Sequence, residues 1–300
     1  MKRSDLQKTQ KNCTAAKRLE TAVHGVFLLL GLVTVGCVLL MTVYLILSGL
    51  PAIREIGLTK FLFGKTWAST AATPEYGILP FILTSVYGTA GAIVLGVPVG
   101  FLAAVYIAKL APKRVRRVLQ SAVSLLAGIP SVVYGLVGML VLVPGIRKLF
   151  HVPDGASLLA AIVVLAIMIL PSIIKVSVTA LEAVPQAYED ASLALGATPV
   201  ETYFRVSVPA AKSGIAAAVV LGVGRAIGEA MAVMMVSGNA PNMPELMGSV
   251  RFLTTAVASE MSYSSGLQRQ ALFSIALVLF LFILLINATL NFFLKRDREG

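Results

Sequence analysis

The chain has 300 residues, of which 57% are hydrophobic and only 13% charged, and its mean hydropathy is +0.88. A soluble protein of this length carries charge on about a quarter of its residues, so this composition excludes most soluble folds and places much of the surface against lipid. The net charge of +11 would raise nucleic-acid binding in a soluble chain, but the positions of the basic residues assign it otherwise. Cys13 and Cys37 lie in a basic tail and an apolar run, and His24 and His151 are the only histidines; neither a disulfide framework nor a His-based metal site or triad follows.

A helix crosses a hydrocarbon core of about 30 Å with roughly 20 apolar residues. Six runs meet that length, at 22–48, 78–108, 119–143, 156–176, 210–236 and 271–294. Short alternating segments are lacking, so the expected fold is an all-α integral membrane protein with six transmembrane helices rather than a barrel. The first run is too long for the apolar core of a signal peptide and lacks a convincing small-residue cleavage site, which predicts a retained helix. The chain then divides into a basic tail at 1–21, a first helix at 22–48, an external interfacial loop at 49–77, a five-helix core at 78–294 with a cytoplasmic segment at 186–209, and a tail at 295–300.

Basic residues accumulate in cytoplasmic loops. Seventeen fall in the amino-terminal tail (Lys2, Arg3, Lys8, Lys11, Lys17, Arg18), the second short loop (Lys109, Lys113, Arg114, Arg116, Arg117), around the fourth loop (Lys175, Arg205, Lys212) and at the end (Lys295, Arg296, Arg298), against seven on the other side. Both termini are therefore expected in the cytoplasm of a multi-pass plasma (inner) membrane protein. The excess charge faces anionic lipid headgroups, and no nucleic-acid role is expected.

In the loop at 49–77, Phe61, Phe63 and Trp67 predict a segment lying along the outer interface. Gly64-Lys65-Thr66 looks like the end of a phosphate-binding loop, but the first glycine of that motif is replaced by Thr59 and no strand precedes it. The chain is not expected to hydrolyse ATP by itself.

The fourth loop is long, helix-favouring and amphipathic. Between 186 and 195, Tyr188, Ala191 and Leu195 fall near one face, with Glu189 and Asp190 toward another. Gly196 ends the turn, and Thr198-Pro199 has the form of a helix start, with a capping hydroxyl and proline at the first position. A short helix, a break and a second helix would suit a groove on a cytoplasmic partner or a helix lying on lipid.

The segment EDASLALGATPVETYFRVSVP, 189–209, resembles the cytoplasmic coupling motif of ABC importer permeases. That motif has an acidic residue, two small residues, a glycine after three more positions, an apolar residue ten further on and a proline three beyond. Asp190, Ala191, Ser192, Gly196, Val206 and Pro209 fill these places, with Asp190 standing where glutamate is usual and Glu189 just before it. YGILPFILTSVYGTAGAIVLGVPVGFLAAVYIAKLAP from Tyr76, GIPSVVYG from Gly128 and GRAIGEAMAVMMVSGNAP from Gly224 are similar to PstC-type permeases of phosphate ABC importers. The resemblance covers about 61–294 and departs at Ala230, where threonine is expected. It implies a type I importer bundle, a homologous PstA-type second permease, two cytoplasmic ATPases that use ATP and Mg, and an external phosphate-binding protein, with no cofactor on this chain. A permease for molybdate or sulfate, or an ion-coupled secondary transporter with its own intramembrane charge pair, are the competing readings.

Arg225 and Glu229 are the obvious charges inside a spanning run, four residues apart on one predicted helical face. A central membrane charge costs about 2.5–3.5 kcal/mol by insertion scales, so both should face protein or a water-filled cavity. They either neutralise each other as a packing pair, or Arg225 lines the anion path with Glu229 holding it; the resemblance favours the second. Gly224 and Gly228, like Gly96 and Gly100, have the small-xxx-small spacing of close helix contacts; a thin helix surface beside a pore is the alternative. Pro98, Pro130 and Pro171 loosen spanning helices. In GIPSVVYG, Pro130 makes a break, Ser131 is available to meet a freed backbone group, and Tyr134 serves as a gate or a packing residue. The resemblance also implies that the loop at 237–270, with Arg251, receives the loaded binding protein.

Overall fold

The computed structural model describes residues 3–299, with side chains for 20, 21, 23–289 and 292. Most side chains of the tails at 1–21 and 295–300 therefore lie outside the described residues, among them those of Lys2, Arg3, Lys8, Lys11, Cys13, Lys17, Arg18, Lys295, Arg296 and Arg298. Two units divide the chain, 1–48 and 49–300. The first is helical, part of α1 (Arg3–Ile56), whose end enters the second unit; the helix does not stop at 48 as the apolar run predicts, but continues through Pro51.

The second unit continues with α2 (Leu58–Phe63), a two-stranded hairpin of β1 (Trp67–Ala68) and β2 (Glu75–Tyr76), and α3 (Leu79–Val105), which runs into a π-helical turn, π1 (Tyr106–Leu110). α4 (Lys113–Gly128), α5 (Ser131–Val137), π2 (Gly138–Leu142) and α6 (Val143–Phe150) lead to α7 (Leu158–Glu182). α8 (Gln186–Ala194), α9 (Pro199–Thr202), π3 (Tyr203–Ser207) and α10 (Val208–Ala210) form the next connection. α11 (Lys212–Gly228), α12 (Met231–Val236), α13 (Leu253–Glu260) and α14 (Gly266–Glu299) complete the order. Among the described residues five helices are long and apolar enough to cross a membrane, Val23–Ile56, Leu79–Leu110, Ser131–Phe150, Leu158–Glu182 and Gly266–Thr289. A sixth is obtained if the bent pair Pro199–Ala210 and Lys212–Gly228, which turn through 72°, counts as one span.

Two predicted runs are divided by the structure. The run at 119–143 is broken at Ile129-Pro130, so that α4 is a separate helix and the span begins at Ser131. Proline has no amide to bond the carbonyl four residues earlier. The run at 210–236 breaks after Gly228, where Glu229 is extended at φ −75°, ψ 127°. Hydropathy averages over both breaks because the flanking residues remain apolar.

α7 is the centre of the unit: Leu165, Met168, Ile169, Ile173 and Leu181 are fully enclosed. α3 packs along it with a ridge of small residues, Gly88, Ala92, Gly96 and Gly100, all buried and four apart. A Cβ on Gly96 would stand 2.8 Å from Ile169 Cδ1, and one on Gly100 3.0 Å from Ile173 Cγ2. Gly91 similarly faces Ile162. Contacts advance together along both chains, so α3 and α7 are parallel. α11 is antiparallel to α7, with Gly222 against Ile173 and Gly214 against Ala180. One end of the bundle thus carries the hairpin and the 237–260 segment, and the other carries π1 and the connection 183–211.

At the hairpin end two of the three aromatic residues expected along the interface are core instead. Phe61 and Trp67 are buried with Tyr76, Ile78, Phe81, Leu253, Ala256, Leu272 and Ile275; Phe63 is exposed. Gly64 and Gly77 cross backbone to backbone, with Leu79 N donating to Gly64 O at 3.1 Å and Gly77 N to Thr66 O at 2.8 Å. The Gly64-Lys65-Thr66 triplet is therefore a chain crossing.

Gly96→Leu is expected to overpack the α3–α7 contact and destabilise the chain by about 1–3 kcal/mol, whereas Gly224→Ala, whose added methyl meets nothing within 4 Å, should leave stability at or above the parental value. Thermal unfolding of the purified chain in detergent checks both.

Candidate functional site

Two breaks and three helices meet around Arg225. α11 delivers it one turn before its end, half-buried, and its Nη1 lies 3.4 Å from Ser172 Oγ on α7, just after Pro171. Its charge also reaches the Tyr134 phenol of α5. Among the described residues no carboxylate pairs with it. Glu229 is not on the same helical face, because the helix has ended: its Oε1 instead accepts the Ala232 amide at 3.0 Å and caps α12, while its carbonyl accepts the Thr254 hydroxyl at 2.8 Å. The self-neutralising pair is thus replaced by a cation with one neutral side-chain contact and a carboxylate engaged with backbone.

Around that cation the glycines divide by role. Gly96 and Gly100 are packed, but a Cβ on Gly224, Gly228 or Gly128 would meet nothing within 4 Å. The face of α11 beside Arg225 is therefore thin and open. Tyr134, rather than Ser131, repairs the break at Pro130: its hydroxyl donates to Leu126 O at 2.7 Å, the carbonyl that the missing proline amide would have bonded. Gly135 and Gly138 let α12 approach closely, against Ala232 and Val236. Tyr134 thus holds the bend; the geometry places Ser131 beside it at the first turn of α5.

At the end that carries the 183–211 connection, the predicted helix, break and helix are present. Gly196 has φ +88°, a left-handed conformation that glycine adopts without steric cost. Thr198 caps α9, accepting Glu201 N at 3.3 Å while Glu201 Oε2 accepts Thr198 N at 3.0 Å, a reciprocal capping box. Asp190 and Ala191 are exposed, Ser192 bonds the Thr202 hydroxyl at 2.9 Å, and Pro209 is exposed in α10. Tyr188, Leu195, Val200 and Phe204 are exposed apolar side chains on the same connection, Leu195 at 90%. Glu189 departs from this face. It is buried, 2.5 Å from Lys109 Nζ, and accepts the Ser207 hydroxyl at 2.8 Å. Sequence reasoning missed Ser172, Lys109, Ser207 and Thr202; Lys109 was counted only as a topogenic charge, and the others have no local pattern that marks them.

Opposite lies a polar cluster at the hairpin end. Arg251 pairs with Glu260, donates from Nε to Asn239 O at 2.9 Å and lies over the Phe81 ring. Glu260 also accepts Trp67 Nε1 at 3.2 Å and Gln268 Nε2 at 3.1 Å. The basic residue of 237–260 is therefore engaged within the fold.

The family model for the binding-protein-dependent transport system inner membrane component matches residues 96–298. The chain belongs to this family. Relatives of the permease include the probable ABC transporter permease protein YqgH of Bacillus subtilis, 39% identical over 265 residues, covering 85% of this chain and 86% of that one. Two phosphate transport system permease proteins PstC are also similar, from Pasteurella multocida (34% identity, 74% of this chain and 75% of the other) and Haemophilus influenzae (32% identity, 92% of each). In fold, the permease matches a chain of the MetNI methionine ABC transporter in inward-facing conformations, with TM-score 0.55, 21% identity, and 74% and 94% of the two chains covered. A chain of an amino acid ABC transporter with histidines gives TM-score 0.53 at 20% identity, covering 73% and 92%. The expected type I importer permease bundle is thus the fold of this protein.

Gly196→Ala is expected to destabilise the turn by about 1–2 kcal/mol, and Thr198→Ala to remove about 1 kcal/mol of capping. Both should appear as faster tryptic cleavage at Arg205 with unchanged cleavage elsewhere.

Proposed function

We propose that this chain is the PstC-type permease of an ATP-driven inorganic phosphate importer in the plasma membrane, with both termini cytoplasmic, forming half of the translocation pathway. Its partners in this reading are a PstA-type permease, two cytoplasmic ATPases that bind ATP and Mg, and an external phosphate-binding protein. The observation that carries the reading is the half-buried Arg225 on the open face of α11, without a carboxylate partner among the described residues.

A guanidinium offers a planar set of donors to a tetrahedral oxyanion, and an importer needs that hold to be transient. With Glu229 turned to the α12 backbone, the cation is available to an anion passing between permeases. Ser172 supports its orientation without neutralising it. The same chemistry would accept molybdate or sulfate, so selection falls on the external binding protein. No carboxylate pair of the kind an ion-coupled carrier would titrate stands beside Arg225 among the described residues.

ATP-driven closure of the ATPases would move the connection with Asp190, Ala191, Gly196 and the exposed Leu195, and tilt α11 through its 72° junction with α10. In vesicles reconstituted with all partners, ATP and the binding protein, Arg225→Gln should abolish phosphate uptake while the complex still assembles, and Arg225→Lys should retain part of it. Parental uptake by an assembled Arg225→Gln complex would overturn the path assignment; uptake that persists without ATPase and follows an ion gradient would overturn the importer.

A further inference from the structure

We propose that the Lys109–Glu189–Ser207 cluster is a pin that makes α8 and α3 move as one body, and that Glu189 is a positioning residue for energy coupling rather than part of the ATPase-facing surface. The inference rests on reading 186–209 as the coupling segment.

α8 has no apolar anchoring face: Glu189 is its one buried residue. The helix is held by side chains through Glu189 to Lys109 at 2.5 Å and Ser207 at 2.8 Å, and through Ser192 to Thr202 at 2.9 Å. Ser207 and Thr202 belong to the same connection, so Lys109 is the polar tie from α8 to a spanning helix. Both ends of the pair are enclosed, with 10% and 7% of the Lys109 and Glu189 side chains exposed. A buried ion pair contributes little stability that an apolar pair of equal volume would not supply. Its charges instead specify one mating geometry, which a mechanical link requires.

Both partners of Glu189 stand in π turns, Lys109 in π1 and Ser207 in π3. The wider turn shifts the side chains that follow it and leaves backbone carbonyls to be met from outside. In π1 those carbonyls, Ile107 O and Ala108 O, accept the Arg116 guanidinium of α4, whose Nη1 lies 3.7 Å from Glu182 at the end of α7. Lys109 is thereby seated on a junction of α3, α4 and α7. Displacement of α8 is passed by the ion pair into the glycine-ridged α3–α7 core instead of being absorbed by the Gly196 turn.

The test uses the complete transporter in vesicles with ATP, the binding protein and inorganic phosphate, and compares the parental chain with Glu189→Gln, Lys109→Met and Lys109→Arg. Phosphate moved per ATP hydrolysed should fall about tenfold in the first two, within the range of ordinary coupling free energies, and be largely kept by Lys109→Arg. A merely structural role would lower assembly, hydrolysis and uptake together and leave the ratio unchanged; that result in an assembled Glu189→Gln or Lys109→Met complex overturns the proposal. Spin labels at Leu102 of α3 and Leu193 of α8 give a second readout that does not depend on the substrate. Their separation should be the same with and without nucleotide in the parental chain and change with nucleotide in Glu189→Gln; a nucleotide-dependent change in the parental chain overturns the pin. If the parental complex hydrolyses ATP but imports no phosphate, the substrate reading fails and the label distances alone decide the pin. If Glu189→Gln does not assemble, Lys109→Met, which leaves the carboxylate its Ser207 bond, carries both measurements.

Discussion

The parallel contact of α3 with α7 is the constraint to which the rest of the second unit is referred. Gly88, Ala92, Gly96 and Gly100 form a row four residues apart, and without side-chain bulk this row lets the isoleucines of α7 reach the α3 backbone. Packing of this kind, not hydrophobicity, holds apolar helices together in lipid, where tails are as apolar as the side chains. Parallel neighbours need an intervening return, which the third span provides, and α11 then comes back antiparallel. Direction along this pair decides which loops can meet. Trp67 and Glu260 share one end, and Lys109 and Glu189 share the other.

The ends are built differently. At the hairpin end Glu260 collects Arg251, Trp67 and Gln268, and Ser85 of α3 accepts the Leu253 amide at 3.0 Å. Arg251 and Glu260 are engaged there within the fold, and Phe61 and Trp67, which hydropathy would set at a lipid interface, are core. At the other end, with π1 and the 183–211 connection, the polar links are fewer, and apolar side chains such as Leu195 and Val200 are left outward. A segment held by one ion pair and two hydroxyl links and capped by Thr198 has a defined internal shape while its outer apolar side chains remain exposed.

Much of this was legible in the chain. The number of spans, the helix, break and helix of 186–209, the role of Gly196 and the Thr198 cap follow from local rules, because length, left-handed backbone and capping depend on residues close in sequence. The break at Pro130 was legible from the proline itself, although hydropathy alone merges α4 with α5. What was not legible depends on the end of α11 at Gly228, which no proline marks and which moves Glu229 off the face of Arg225, and on partners far apart in sequence. Glu189 and Asp190 are neighbours of the same chemistry, yet one is buried and the other exposed; only the positions of Lys109 and Ser207 separate them. Gly96 and Gly224 sit in the same spacing pattern, and only the facing helix tells packing from open space.

The break after Gly228 also explains how Arg225 and Glu229, four residues apart, do not pair. Had α11 continued for one more turn, Glu229 would have stood beside Arg225, and a close pair in low dielectric binds its own charges in preference to a passing anion. Ending the helix turns the carboxylate away from Arg225 and lets it accept the Ala232 amide at the start of α12. Arg225 keeps a neutral hydroxyl for orientation and the edge of a bundle stripped of side chains at Gly224 and Gly228. The desolvation cost of the cation is then limited by its half-exposed position, and among the described residues the fold retains an arginine without a carboxylate partner.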